Sequence, residues 1–272
     1  MDEYIVQGSD LRGIADGIRE KNGTSEQIPF ENFESDIKAI TSITEAGNPY
    51  KDTATITNWN RWFANGERLK YAEFLDTSGG TDFSYMFYNN VYMKDDEFPF
   101  DKIDTSNGEN FEYCMRNCRE FTGSNFALNL SKGKNLRSMF SECRKMIGLP
   151  VLDIPLAVNL RGFLYNCSKL VTVNGLKISN LYTSNMELMF YGATSLTNIN
   201  FIGEGQIKVN SNDLSLADSP NLTVESLVSL FDALADNTGE ETVYTVNIGS
   251  KNASKLSYDQ KLIALLKNID IQ

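Results

Sequence analysis

A segment of about 25 residues recurs along this chain, and this repetition limits the architectures open to it more than any other feature. Each copy has two adjacent apolar residues, a polar stretch and a small residue three positions after the second apolar one. We call that second apolar residue the anchor. The anchors of six copies are Phe63, Phe87, Met115, Phe140, Leu164 and Phe190. Their successive spacings are 24, 28, 25, 24 and 26 residues, and a weaker seventh copy has Ala217 at this place.

The residues around each anchor predict the local structure of one copy. Three copies carry Asp-Thr-Ser or Tyr-Thr-Ser before the anchor, within residues 75–83, 103–111 and 181–189, and such side chains turn the chain by bonding its backbone. After the anchor, residues 146–154, 170–178 and 196–202 alternate apolar and polar residues, as a strand with one buried face does. We therefore expect a short helix or turn at the anchor, then a short strand.

One copy cannot bury its own apolar face, but stacked copies share a continuous core. The period therefore predicts an α/β repeat solenoid of about seven coils over residues 53–220.

Cysteine occupies the small position in three copies, at Cys118, Cys143 and Cys167. The other copies have Gly, Asn, Ala or Pro there, so the position is expected to be tightly packed and the cysteines to form a buried, reduced thiol ladder. A disulfide or a metal site remains the alternative, because neighbouring coils bring such residues within bonding range. A fourth thiol, Cys114, is expected to pack in the core.

Both ends of the repeats are predicted to be helical. Residues 1–47 contain two short amphipathic segments and form a small N-terminal module suited to attachment. Residues 221–272 predict a helix-strand-helix cap, with Thr223 and Ser257 as helix N-caps and a last short strand at the C-terminus.

Composition argues against several functions. The net charge of −11 disfavours nucleic acid, and the absence of histidine removes the commonest general base and zinc ligand. No cofactor motif is present, so we expect no enzyme activity and no cofactor. The sequence also lacks a signal peptide and a membrane-spanning stretch, which predicts synthesis in the cytoplasm and no membrane insertion.

Two further features leave alternatives open. The acidic run at 94–97, with Asp101 and Asp104, could hold Ca²⁺ or could form a solvated loop. Tyr88, Tyr165 and Tyr191 directly follow their anchors and so form one column, which is either exposed for stacking on a ligand or half-buried against the next coil.

The repeat strings 104–118, 138–146 and 163–170 resemble the BspA-like leucine-rich repeats of bacterial surface proteins. This resemblance implies a BspA-type array that binds through its exposed surface without catalysis. Residues 9–30 and 222–268 are similar to end segments of phage and prophage tail proteins of Firmicutes, although the chain ends in Asn-Ile-Asp-Ile-Gln where a Gly-Trp pair is common.

These resemblances imply a virion protein of the tail fibre or baseplate. Its N-terminal module would bind other virion proteins, and its repeats would bind a glycan or protein of the host surface. A homotrimer would be in keeping with fibre proteins. The alternatives are a capsid decoration or assembly protein and a bacterial surface adhesin.

Overall fold

The computed structural model describes residues 51–66, 72, 75–178, 185–203, 205–209 and 214–272. The predicted N-terminal module at residues 1–47 lies outside these described residues.

Among the described residues before 148, regular secondary structure is limited to short 3₁₀ helices, which include Lys51–Thr55, Ala64–Gly66, Asp95–Glu97 and Phe100–Lys102. Strands β1 (Gly148–Asp153), β2 (Thr172–Lys177) and β3 (Asn198–Ile202) form a parallel sheet in the order β1-β2-β3. The C-terminal elements are α1 (Val224–Ala233), β4 (Tyr244–Val246), α2 (Ser250–Ala253), α3 (Tyr258–Leu265) and β5 (Ile269–Ile271), with β4 and β5 paired in parallel.

Around the six clear anchors the chain forms similar compact turns, which we call turn units and define from five residues before the anchor to three after it. Turn units 1 to 6 are residues 58–66, 82–90, 110–118, 135–143, 159–167 and 185–193. Parallel bridges join the first residue of each unit to the first residue of the next. These bridged residues are Asn58, Asp82, Asn110, Asn135, Asn159 and Asn185.

Four backbone hydrogen bonds run from each turn unit to the next, and the first N–H of units 2 to 6 bonds in the opposite direction, to the carbonyl directly before the preceding unit. The N–H groups at the anchor, at two and four residues before it and at two after it donate to carbonyl oxygens of the following unit. Phe87 N–H, for example, donates to the Cys114 carbonyl at 2.8 Å. All five interfaces between units have these four bonds, with N···O distances from 2.7 to 3.2 Å. These bonds between units thus satisfy backbone N–H and carbonyl groups that lie outside helices and sheets.

Two residues of every turn unit have positive φ. They lie two residues before and two residues after the anchor, and their φ values run from 52° to 72°. The second of these positions is Asn in four units and Gly in unit 6, the residue types that adopt this left-handed conformation most readily. A left-handed residue interrupts a helix and a strand alike, so the anchors lie in turns.

The predicted α/β repeat solenoid with its BspA-type array is therefore wrong. Among the described residues, α-helices occur only from Val224 onward, and the sheets have three and two strands. Within the described part of the chain, no layer of helices or continuous sheet closes around the turn units. The spacing of apolar residues suggested regular elements, but the paired left-handed residues prevent them.

The core is nevertheless continuous from Trp59 to Ile269. Every anchor of the six units is fully buried. Phe63 stacks on Phe87 with ring centroids 5.5 Å apart, and Phe140 packs between Phe126 and Phe163 at 5.1 and 5.2 Å.

The strands and C-terminal helices follow from local signals. β1, β2 and β3 lie within the three alternating segments of the sequence. Thr223 Oγ1 accepts the Ser226 N–H at the start of α1, and Ser257 forms a capping box with Gln260 at the start of α3. In the part of the chain that the structure describes, no helix has the length and apolar character to cross a bilayer.

Candidate binding surface

Each turn unit begins with an Asn or Asp whose side chain holds the turn. Asp82 Oδ1 accepts the Ser84 N–H at 2.9 Å, and the corresponding oxygen of the other five units makes the equivalent bond. Some of these side chains also bond between units, since Asn110 Nδ2 donates to Asp82 Oδ1 at 3.1 Å. Sequence reasoning missed this column, although the recurrence of Asn or Asp five residues before each anchor could have revealed it.

A second column of amides stands two residues after the anchors. Asn89 Nδ2 donates to Asn65 Oδ1 at 2.8 Å, and Asn117 Nδ2 donates to Asn89 Oδ1 at 2.6 Å. Asn166 Nδ2 donates to Glu142 Oε1 at 2.8 Å. Burial alone would raise the pKa of Glu142, but hydrogen bonds from Asn166 and Arg144 outweigh it and hold this pKa below its usual value.

Tyrosine and arginine side chains form a partly exposed column two residues before the anchors. The Arg61 guanidinium lies 4.4 Å from the Tyr85 ring centroid, and the Tyr85 and Tyr113 centroids are 4.9 Å apart. Arg116 lies 4.9 Å from the Tyr113 ring. Burial, and next the charge of Glu112, raises the pKa of Tyr85, so its hydroxyl stays protonated near neutral pH. Cation–π contacts thus hold these rings and guanidinium groups in fixed positions.

The tyrosines that directly follow the anchors divide into two groups. Tyr88 and Tyr165 are half-buried, and Tyr88 meets Tyr85 edge-on with centroids 5.5 Å apart. Tyr191 stacks on Tyr165 at 5.0 Å with 17° between the ring planes, and it is 48% exposed. The half-buried interpretation fits Tyr88 and Tyr165, whereas Tyr191 presents a ring to solvent.

The structure places Cys118, Cys143 and Cys167 in one buried column of free thiols. Cys143 Sγ donates to the Met115 carbonyl at 3.1 Å, and Cys118 and Cys167 bond the anchor carbonyl of the preceding unit at 3.2 and 3.1 Å. Burial raises the pKa of Cys143 to about 12, so these thiols are protonated and unreactive.

The acidic run at 94–97 has a structural partner. Asp95 accepts hydrogen bonds from the backbone N–H and hydroxyl groups of both Thr122 and Ser124, at 2.6 to 2.8 Å. These bonds lower the pKa of Asp95 against the opposing effect of burial, which is the largest single influence on it. Within the described ranges, no group of three His, Cys, Asp or Glu side chains is arranged to hold a metal ion.

Comparison with known proteins gives one family match. Residues 31–148 match the model of a family described as Mycoplasma protein of unknown function, DUF285. This is a repeat family related to BspA-like surface proteins, and the matched range includes turn units 1 to 4. No curated protein and no solved structure matches the chain.

Proposed function

We propose that this chain is a binding protein, not an enzyme, and that it attaches to a cell surface through the aromatic columns of its turn units. The observation that carries this proposal is the alignment of Arg61, Tyr85 and Tyr113 at one side of the turn units, with Tyr165 and Tyr191 in a second column.

The backbone beneath these side chains makes them effective for binding. Adjacent units are joined by four backbone hydrogen bonds, and the tyrosine rings contact one another, so less conformational entropy is lost when a ligand binds than for isolated side chains. Tyrosine provides apolar area together with a hydroxyl, and arginine provides planar donors, which explains the prominence of both at binding hot spots.

The resemblance of residues 222–268 to ends of phage tail proteins supports a finer proposal. The chain is a virion protein of the tail fibre or baseplate, made in the host cytoplasm, whose N-terminal module at 1–47 binds other virion proteins. Its turn units then bind a glycan or protein of the host surface, and the chain forms a homotrimer as fibre proteins do.

A bacterial surface adhesin is the second candidate. Residues 31–148 match a repeat family that is described from Mycoplasma proteins and is related to surface proteins. This relation to surface proteins favours an adhesin. Both candidates use the same binding surface and differ in the particle that carries it.

The test is binding of the labelled full chain to a panel of mycoplasmas and Gram-positive bacteria. We expect saturable binding to some strains, and weaker binding by the double variant Tyr85→Ala/Tyr113→Ala than by Lys134→Ala, a control at an exposed residue directly before turn unit 4. Antibody labelling of released particles and of intact cells then separates virion from adhesin. No binding to any strain, or equal binding by both variants, would contradict the proposed surface.

A further inference from the structure

The amide column and the tyrosine column both stop at turn unit 6. Gly192 stands there at the position that carries Asn or Glu in the other five units. Asn166 Nδ2 donates to Glu142, but no side chain above it can donate to its Oδ1, and none of the described residues does so. That oxygen rests against Gly192, where an ideal Cβ atom would lie 2.4 Å from it. The column therefore ends in an unused acceptor.

One face of the Tyr191 ring stacks on Tyr165, and the seventh copy has Asp218 at the corresponding position. No ring among the described residues stacks on the other face of Tyr191. Tyr191 is accordingly 48% exposed. An aromatic ring held by a second ring is a rigid platform for a flat apolar surface.

Asp218 adds a second acceptor beside this platform. Its Oδ2 accepts the Gly192 N–H at 2.9 Å. Because Gly192 directly follows Tyr191, this bond holds the carboxylate near Tyr191. Asp218 is exposed, and an ionised carboxylate has acceptor capacity for several donors.

We infer that Tyr191, Asn166 and Asp218 bind a neutral sugar residue of a surface glycan. The apolar face of a pyranose would stack on Tyr191, and its hydroxyl groups would donate to Asn166 Oδ1 and to the Asp218 carboxylate. This inference rests on the proposed function and names the ligand class for one end of that surface.

The charges favour a neutral sugar over an acidic one. Asn166 Oδ1 and Asp218 both accept, and the Arg144 guanidinium, which shares Glu142 with Asn166, is paired with that carboxylate at 2.8 Å. A carboxylate or phosphate on the ligand would be repelled by Asp218 and by a chain of net charge −11.

Backbone pairing argues against a peptide ligand. The Tyr191 carbonyl accepts the Asn166 N–H at 2.7 Å, and the Gly192 N–H is bonded to Asp218. These backbone groups are therefore not available to add a peptide strand, which leaves side-chain contacts of the kind that sugars use.

The experiment measures the affinity of the folded full chain for immobilised neutral and acidic oligosaccharides. We expect binding to a neutral glycan, and a loss of about tenfold in affinity for Tyr191→Ala because the stacking surface is removed. Gly192→Asn should also weaken binding, since its Cβ would lie 2.4 Å from Asn166 Oδ1 and must displace that oxygen from the site. The backbone accepts Asn at this position, because Asn65, Asn89, Asn117 and Asn166 have φ from 57° to 64° at the equivalent place.

Tyr92→Ala is the matched control, because Tyr92 is an 87% exposed tyrosine that lies outside both aromatic columns. It should leave the affinity unchanged, and all variants should unfold as cooperatively as the parent chain. Binding to acidic glycans alone, no binding to any glycan, or equal affinities for the parent, Tyr191→Ala and Gly192→Asn would overturn the inference. Cell binding that persists unchanged in both Tyr191→Ala and Gly192→Asn would overturn this site and leave the proposed function standing. Glycan binding without any cell binding would overturn the proposed function and leave this site standing.

Discussion

The turn units at 58–193 and the C-terminal region at 214–272 share one core but hold their backbones differently. In the turn units the principal N–H donors reach carbonyl groups 23 to 27 residues away, as from Phe87 to Cys114. In α1 and α3 the bonds close within one helical turn, and N-caps at Thr223 and Ser257 complete them. A turn unit thus depends on its neighbours, whereas the helices carry their own signals for starting and stopping.

Different spectroscopic probes report on the two regions. Both tryptophans of the chain, Trp59 and Trp62, lie in turn unit 1. All α-helices of the described residues lie after Val224. Tryptophan fluorescence therefore follows the turn units. Among the described residues, the α-helices that produce the helical circular dichroism signal all lie in the C-terminal region.

The largest expected effect is from Phe140→Ala in turn unit 4. Phe140 is fully buried between Phe126 and Phe163, so the variant should lower the free energy of unfolding by about 3–5 kcal/mol. Urea unfolding should show the fluorescence transition moving to lower urea. A matching shift of the helical signal would mean that both regions unfold together, and a loss below about 1 kcal/mol would contradict the buried placement of the ring.

Alkaline pH should destabilise the turn units selectively, because all four cysteines lie between residues 114 and 167. Burial lifts the pKa of Cys143 from 9.0 to about 12, so only the unfolded chain loses this proton at moderately alkaline pH. The stabilisation is complete below pH 9.0 and is lost as the pH rises toward 12, by about 1.4 kcal/mol per pH unit for each such thiol.

Unfolding by urea at several pH values measures this slope. Cys143→Ala should show a shallower decline than the parent chain, although its stability at neutral pH will be lower. An identical slope in both proteins would show that the Cys143 thiol titrates normally in the folded state.

Ser226→Ala tests the junction between the two regions. Ser226 Oγ accepts the Ile199 N–H at the edge of β3 at 3.0 Å, and Ile199 is buried. Removing the hydroxyl leaves that N–H without this partner and should cost about 1–3 kcal/mol. Ser254→Ala removes an exposed hydroxyl and serves as the control, with an expected change within about 0.5 kcal/mol. Equal stabilities for the two variants would count against the role of α1 in covering the sheet edge.

The smallest effect is expected from Glu109→Gln. Glu109 and Lys134, the residues directly before turn units 3 and 4, form an ion pair of 2.8 Å, but both side chains are about half exposed. Solvent screening limits such a pair to about 0–1 kcal/mol, and added salt should reduce it further. A double-mutant cycle with Lys134→Met measures the coupling, and a value well above 1 kcal/mol would show that charge pairs hold the units together.

The comparison also explains which parts of the fold the sequence predicts. Alternating residues in 146–154, 170–178 and 196–202 correctly indicated β1 to β3, and the amphipathic stripe after Thr223 indicated α1, because these signals are local. The left-handed residues at Tyr85 and Tyr113 have no such signal, since tyrosine rarely adopts this conformation, and the bonds that stabilise it come from another unit.

For the binding surface, the spacing placed Tyr165 and Tyr191 in one column, but the exposed ring of Tyr191 follows from Gly192 and Asp218, whose contribution only the folded chain reveals.

The four hydrogen bonds that each turn unit sends to the next give the molecule chemically distinct ends. Around its anchor a unit offers N–H donors to its successor and carbonyl acceptors to its predecessor, while its first N–H bonds in the opposite direction. Duplication or deletion of one whole repeat would therefore preserve this backbone pattern, whereas loss of part of a repeat would break the bonds on both sides. The backbone accordingly permits the binding surface to change length in steps of one repeat.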